Sequence, residues 1–161
     1  MCTHLTFRTA PSPTDLESVR AIVVSTGFFQ SHEVPVAVEL VQERIDKGLE
    51  SGYHFIFADF NGSTISYACF GEIACTKGSW DLYWIATHEQ HRGKGVGKNL
   101  MAEVEKAIRA MGGRAIYIET SSKPMYEPTR RFYQNYGCTT EAILKDFYDT
   151  NDSKYIFRLS L

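Results

Sequence analysis

Apolar residues recur along this chain with two periods, and the switches between them mark its elements. Leu5–Arg8 predicts a short opening strand. Leu16, Val19, Ile22 and Val23 then recur at helical spacing to about Thr26, with Thr14 and Glu17 forming a capping-box pattern ahead of them. Gly27-Phe28-Phe29-Gln30-Ser31-His32 interrupts that run. A second helix carries Val38, Val41 and Ile45 on one side and has Gly48 near its end. The aromatic-rich run 53–60 predicts a strand, and Asn61-Gly62 is a hairpin turn signal. Two further strands, over 64–75 and 80–87, are joined through Lys77-Gly78. Val96, Leu100, Val104, Ala107, Ile108 and Met111 line one face of a helix that Gly112-Gly113 closes. Ala115-Ile116-Tyr117-Ile118 predicts a buried strand, and a short helix over 129–135 ends at Gly137. Two strands follow, over 139–147 and 154–159, split by the polar turn Asp149-Thr150-Asn151-Asp152. The resulting order is β-α-α-β-β-β-α-β-α-β-β.

No repeat, linker or low-complexity tract divides the 161 residues, so a single domain over 1–161 is expected. A net charge of −2 gives no reason to expect nucleic acid or an anionic membrane surface as partner. No apolar run is long enough to span a bilayer, and Met1-Cys2-Thr3-His4-Leu5 lacks the basic start and apolar stretch of a signal peptide. Cys2, Cys69, Cys75 and Cys138 form no C-x-x-C pair, which points to reduced thiols and a cytoplasmic setting. The five histidines share no ligand-like spacing with them, so no metal is expected.

The segment His91-Arg92-Gly93-Lys94-Gly95-Val96-Gly97-Lys98 changes the picture. Glycines at alternate positions, interleaved with cations, lie between a strand and a helix start. Bare backbone N–H groups and the positive helix end make such a turn a phosphate site. A P-loop would need Gly five positions before Gly97 and Ser or Thr after Lys98, but Arg92 and Asn99 stand there. A dinucleotide fingerprint needs G-x-G-x-x-G, and the glycines here read G-x-G-x-G. The remaining pattern, Arg92-x-x-Gly95-x-Gly97, resembles the coenzyme-A pyrophosphate loop of the GNAT N-acetyltransferase superfamily.

Other segments carry the same resemblance. In Phe132-Tyr133-Gln134-Asn135-Tyr136-Gly137, Tyr133 precedes Gly137 by four, as does the general acid of GNAT enzymes. Glu119, at the end of the preceding strand, matches the general base of the ribosomal-protein alanine N-acetyltransferase branch. Asp146-Phe147-Tyr148 with Lys154 is similar to a group of bacterial GNAT proteins. The element order matches the GNAT fold over the whole chain. The resemblance therefore implies an α/β (α+β) fold, with a mixed central sheet of about seven strands flanked by about four helices. It implies acetyl-CoA as co-substrate, with the backbone of Ile85, Ala86 and Thr87 on the pantetheine arm and the loop Arg92, Gly93, Lys94, Gly95, Val96, Gly97 and Lys98 on the pyrophosphate. A homodimer is a common family assembly. One position departs: many relatives carry Asn seven before the acid Tyr, where this chain has Tyr126.

Acetyl transfer to an amine explains why such residues are needed. An alkylammonium with a pKa of about 10 must lose a proton before it attacks. A carboxylate can take that proton, a phenol can protonate the departing thiolate, and a backbone N–H can stabilise the oxyanion. Glu119 and Tyr133 are the candidates for base and acid, in direct attack within a ternary complex. Glu72 and Asp81 are rival bases. Glu119 has a purely structural alternative, pairing with Arg130, Arg131 or Lys123, and Tyr133 has another, ring packing in the core. His88 and His91 flank the loop as solvated histidines, and Cys69 and Cys75 are strand residues. The acceptor, an amine of open identity, would meet Phe28, Phe29 and His32 with Tyr83, Tyr126 and Tyr148, helped by Glu72 or Asp81. Two rivals remain: a non-catalytic acyl-CoA-binding or sensing module on the same fold, and a nucleotide-binding protein using the loop.

Overall fold

In the computed structural model, which describes residues 4–161, the elements follow the expected order. They are β1 (Leu5–Arg8), α1 (Asp15–Thr26), α2 (Glu33–Lys47), β2 (His54–Phe60), β3 (Ser63–Glu72), β4 (Ser79–Thr87), α3 (Val96–Ala110), β5 (Ala115–Ser121), α4 (Glu127–Tyr136), β6 (Thr139–Asp149) and β7 (Asp152–Ser160). The strands form one seven-stranded mixed sheet in the order β1-β2-β3-β4-β5-β7-β6, in which β4 and β5 pair in parallel. Met1, Cys2 and Thr3 lie outside the described residues, so the reading of the chain's start rests on sequence. No helix among the described residues is long and apolar enough to cross a membrane.

The chain folds as two compact units. One holds residues up to Gly71 with Trp84–Ala107; the other holds Glu72–Tyr83 with Ile108–Leu161. In the first, Val19, Ile22 and Val23 of α1 and Ala37 and Val41 of α2 bury against Phe55 and Phe57 of β2 and Tyr67 of β3. The β2–β3 turn falls on Asn61 (φ 51°) and Gly62 (φ 80°), both left-handed as a two-residue hairpin requires.

Arg8, at the end of β1, closes this unit at the entry to α1. It donates to Asp15 Oδ2 at 2.8 Å, to Asp59 Oδ2 at 2.7 Å and to Thr64 Oγ1 at 2.9 Å. Burial alone would raise the Asp15 carboxyl, but bonds from Arg8 and from the Ser12 N–H outweigh it and hold the group below the ordinary carboxylate range. The Thr14/Glu17 capping box does not form. Thr14 has helical backbone and no capping bond, and its hydroxyl meets Ser12 Oγ at 2.8 Å. Asp15 receives the Ser12 N–H instead, at 2.7 Å, because Arg8 fixes it there.

In the second unit Ile108, Ile116, Ile118 and Phe157 are fully or nearly fully buried. Met111, expected on the buried face of α3, is 44% exposed: the helix ends at Ala110 and the chain turns away through Gly112 (φ 79°). Met101, earlier on α3 and part of the first unit, is fully buried. The last two strands are longer than the pattern predicted. A bulge between Leu144 and Asp149, with Asp146 at φ 52°, breaks the alternation there.

Candidate functional site

The glycine loop belongs to the first unit. After β4 the chain makes a single 3₁₀ turn over Glu89–His91 and extends at Arg92 (φ −69°, ψ 159°). Gly93 and Gly95 then adopt φ of 70° and 80°, and α3 begins at Val96. A side chain at either glycine would be strained. Alternating backbone hand turns successive N–H groups toward one concavity, and the first amides of α3 add unpaired donors. Residues 92–95 are exposed, while the buried side chain of Val96 packs with Ala58 and Ile65 and anchors the helix start.

The cations around the loop also hold it together. The Arg92 guanidinium lies 4.8 Å from the centroid of the Phe28 ring and donates to the Thr87 and Thr26 carbonyls, each at 3.3 Å. Arg92 thus ties the segment after α1 to the loop. Lys94 donates to the Gln90 carbonyl at 2.9 Å, and Lys98 is exposed on the first turn of α3. At the end of β4, Ser66 Oγ donates to the Ala86 carbonyl at 2.8 Å and meets Thr87 Oγ1 at 2.8 Å. Sequence reasoning did not single out Ser66; nothing in its local pattern marks it. Ile85 precedes these two, half-buried on the same strand.

The neighbouring histidines have structural work. His88 Nδ1 accepts the Gln90 N–H, and the His88 backbone N–H donates to the Ile65 carbonyl at 2.8 Å. His91 sits edge-on to Phe60 at 5.8 Å, with its pKa lowered by burial and then by Lys94 and His88. Phe29 packs on Trp84 at 4.8 Å as part of the first unit's core; His32 is exposed.

The titratable candidates belong to the second unit. Glu119 sits within β5 rather than at its end, since the strand runs on to Ser121. Its partner is none of the three cations considered from sequence. Arg130 donates to the Ser121 and Lys123 carbonyls, Arg131 pairs with Glu127, and Lys123 pairs with Asp152 at 3.6 Å. Lys154 of β7 comes instead, with Nζ 2.7 Å from Glu119 Oε2. Its ammonium also lies 3.7 Å from the centroid of the Phe147 ring. Asp81 is drawn into this cluster; its carboxyl is raised by burial, then by Glu119, and pulled back by Lys154. Glu72, at the end of β3, is exposed.

Tyr133 is 4% exposed, with its ring 5.6 Å from that of Phe157 and 5.4 Å from that of Phe132. Burial, followed by Cys138, pushes its phenol above the ordinary tyrosine value, so it stays protonated at neutral pH. Its spacing to Gly137 has a local cause. Gly137 (φ 113°) donates to the Gln134 carbonyl at 3.1 Å, and the Cys138 N–H donates to the Tyr133 carbonyl at 3.0 Å. That pair of bonds is a Schellman cap, and it fixes the tyrosine one turn before the helix end. Tyr83 is 43% exposed and Tyr148 47% exposed. Tyr126 is half-buried in the residue before α4. Cys69 and Cys138 are buried, and Cys75 is exposed in the turn after β3. Burial pushes the Cys69 thiol up, which makes it inert.

The model of the acetyltransferase (GNAT) family matches residues 19–138. This chain belongs to the GNAT family. A solved GNAT-family protein from Desulfovibrio desulfuricans is 44% identical, with a TM-score of 0.96 and coverage of 98% of this chain and 99% of its own. Two more distant structures share the GNAT fold. A Salmonella typhimurium protein solved with its cofactor acetyl-CoA is 17% identical, with a TM-score of 0.76 over 99% of this chain and 95% of its own. The ribosomal-protein-S18-alanine N-acetyltransferase of Escherichia coli is 16% identical, with a TM-score of 0.74 over 98% of this chain and 94% of its own. No curated protein matches this GNAT chain.

Proposed function

We propose that this GNAT protein moves an acetyl group from acetyl-CoA to a primary amine by direct attack in a ternary complex, as a single cytoplasmic domain over residues 1–161. The observation that carries the reading is the loop that follows β4 and opens α3. Its left-handed Gly93 and Gly95 leave a backbone cradle for a pyrophosphate. In this reading residues 93–98 hold the pyrophosphate, and the backbone of residues 85–87 pairs with the pantetheine arm. Glu119 takes the proton from the acceptor ammonium. The amine lone pair then attacks the thioester carbonyl, the carbon–sulfur bond breaks, and Tyr133 protonates the thiolate. The Salmonella structure with acetyl-CoA supports the choice of co-substrate.

One observation favours a second reading. Glu119 is held in an ion pair with Lys154, as a purely structural carboxylate would be. A non-catalytic acyl-CoA-binding module on the same fold is therefore the alternative. Thermal unfolding with acetyl-CoA and, separately, with ATP tests the loop assignment. Protection by acetyl-CoA alone is expected; protection by ATP alone contradicts the coenzyme assignment in both readings. Gly95→Glu, which puts bulk and negative charge in the cradle, should abolish the protection.

A further inference from the structure

Three charged groups from three strands of the second unit share one face of the sheet. Asp81 on β4 lies opposite Tyr117 on β5, and the two-residue period of a strand puts Glu119 on the same side. Glu119 lies opposite Ile156 on β7, which brings Lys154 to that side as well. The lysine side chain is only 11% exposed, against 49% for Glu119. Burying an ammonium costs several kcal/mol in round numbers unless partners offset it. Here the offset comes from the Glu119 carboxylate at 2.7 Å, the Phe147 ring at 3.7 Å and the Tyr148 ring at 5.7 Å.

The surrounding groups leave this task to Lys154. Lys123 is turned to Asp152, which also accepts from Ser121 Oγ. The Tyr148 phenol is pushed up to about 12 by burial, then by Glu119, Asp152 and Tyr126, so it stays neutral. Two carboxylates brought together without a cation would share a proton, and one would be lost as a base near neutrality.

We propose that Lys154 is a positioning residue for the acetyl transfer: it holds the Glu119 carboxylate in one orientation and offsets the charge of Asp81 beside it. This inference rests on the acetyltransferase reading with Glu119 as base. It adds no covalent step; Lys154 keeps its proton throughout, and the proton that moves is the acceptor's.

Lys154→Met keeps an apolar stem against Phe147 and removes the charge, while Lys154→Arg keeps the charge. Two readouts are needed. The first is kcat/KM for thiol release across pH 5 to 9 at saturating acetyl-CoA, with the acid limb expected to move up by about one unit, so that the loss grows toward about tenfold as pH falls below that limb. KM for acetyl-CoA should stay within about twofold, and Lys154→Arg should restore most of the rate. The second is carboxyl NMR titration of Asp81 without coenzyme, where the midpoint should rise in Lys154→Met. If the methionine variant does not fold, Lys154→Gln is read in the same way. A rate loss equal at every pH, with the Asp81 midpoint unmoved, overturns the proposal and leaves Lys154 a packing residue. A raised Asp81 midpoint with no thiol release from wild-type protein instead overturns the acetyltransferase reading, and with it the catalytic role.

Discussion

The Tyr133 ring is buried against Phe157, and its phenol is held protonated. Both properties suit an acid that must donate once, to a departing thiolate. Tyr133→Phe removes only the oxygen and leaves the packing. It should lower kcat by about 10²–10⁴ while the Kd for acetyl-CoA, measured by calorimetry, stays near the wild-type value. Unchanged turnover would remove Tyr133 from the reaction. Asp15 is a residue of the opposite kind, 1% exposed and ion-paired with Arg8. Asp15→Asn should cost about 2–3 kcal/mol in urea unfolding at pH 7, the lower end for a broken buried pair because Arg8 is partly exposed. Its folded-state pKa is depressed, so its contribution is full above the unfolded value of about 3.9 and fades as pH falls through the lower folded value. The variant should therefore show a flatter stability profile in acid than the wild type. Of the residues singled out in the sequence, Glu119 and Tyr133 could be named only through the resemblance to GNAT motifs, and Glu119 falls within β5 rather than at its end. The Lys154 partnership could not, because it joins positions 35 apart through β5–β7 register.

Helix ends explain most of what was legible at the scale of elements. Gly27, Gly48, Gly112 and Gly137 all have positive φ at or just beyond a helix end, and each marks a boundary that the apolar period alone would blur. The capping box failed for the complementary reason. The Thr14 hydroxyl meets Ser12 instead of the helix, and Asp15 takes over the turn, held by Arg8 from β1, a partner invisible to a local window. Gly113 is a glycine of close packing rather than of turn geometry. A Cβ there would meet Ile108 Cγ2 at 2.2 Å and Trp80 Cδ1 at 3.0 Å. Gly113→Ala should lower stability by about 1–3 kcal/mol in chemical unfolding, as overpacking does. Gly95→Ala meets no atom within 4 Å, so its effect should come from the strain of a left-handed backbone at φ 80°. Coenzyme affinity, rather than global stability, is the quantity expected to fall, since the strain is confined to an exposed loop.

For the whole molecule, the order of elements was enough to anticipate the sheet, although the broken alternation of β6 hid the ends of the last two strands. The family match over residues 19–138 agrees with that order. The acceptor was not legible. Phe29 is occupied by Trp84, Phe28 by Arg92 and Tyr148 by Phe147, so rings that looked free in sequence have packing partners within their own units. Aromatic content alone does not distinguish a pocket from a core. The acetyltransferase reading rests instead on the family match and on the backbone of one loop, with Glu119 and Tyr133 proposed for the base and acid that acetyl transfer requires. The most direct test is thiol release from acetyl-CoA against a panel of small amines, amino acids, peptide N-termini and lysine peptides, with mass detection of the acetylated product. The account predicts amine-dependent thiol release, with an N-acetyl product formed in equal amount. Tight acetyl-CoA binding with no acetylated product from any class of amine would contradict it, and would leave the chain a binding module on an enzyme's fold.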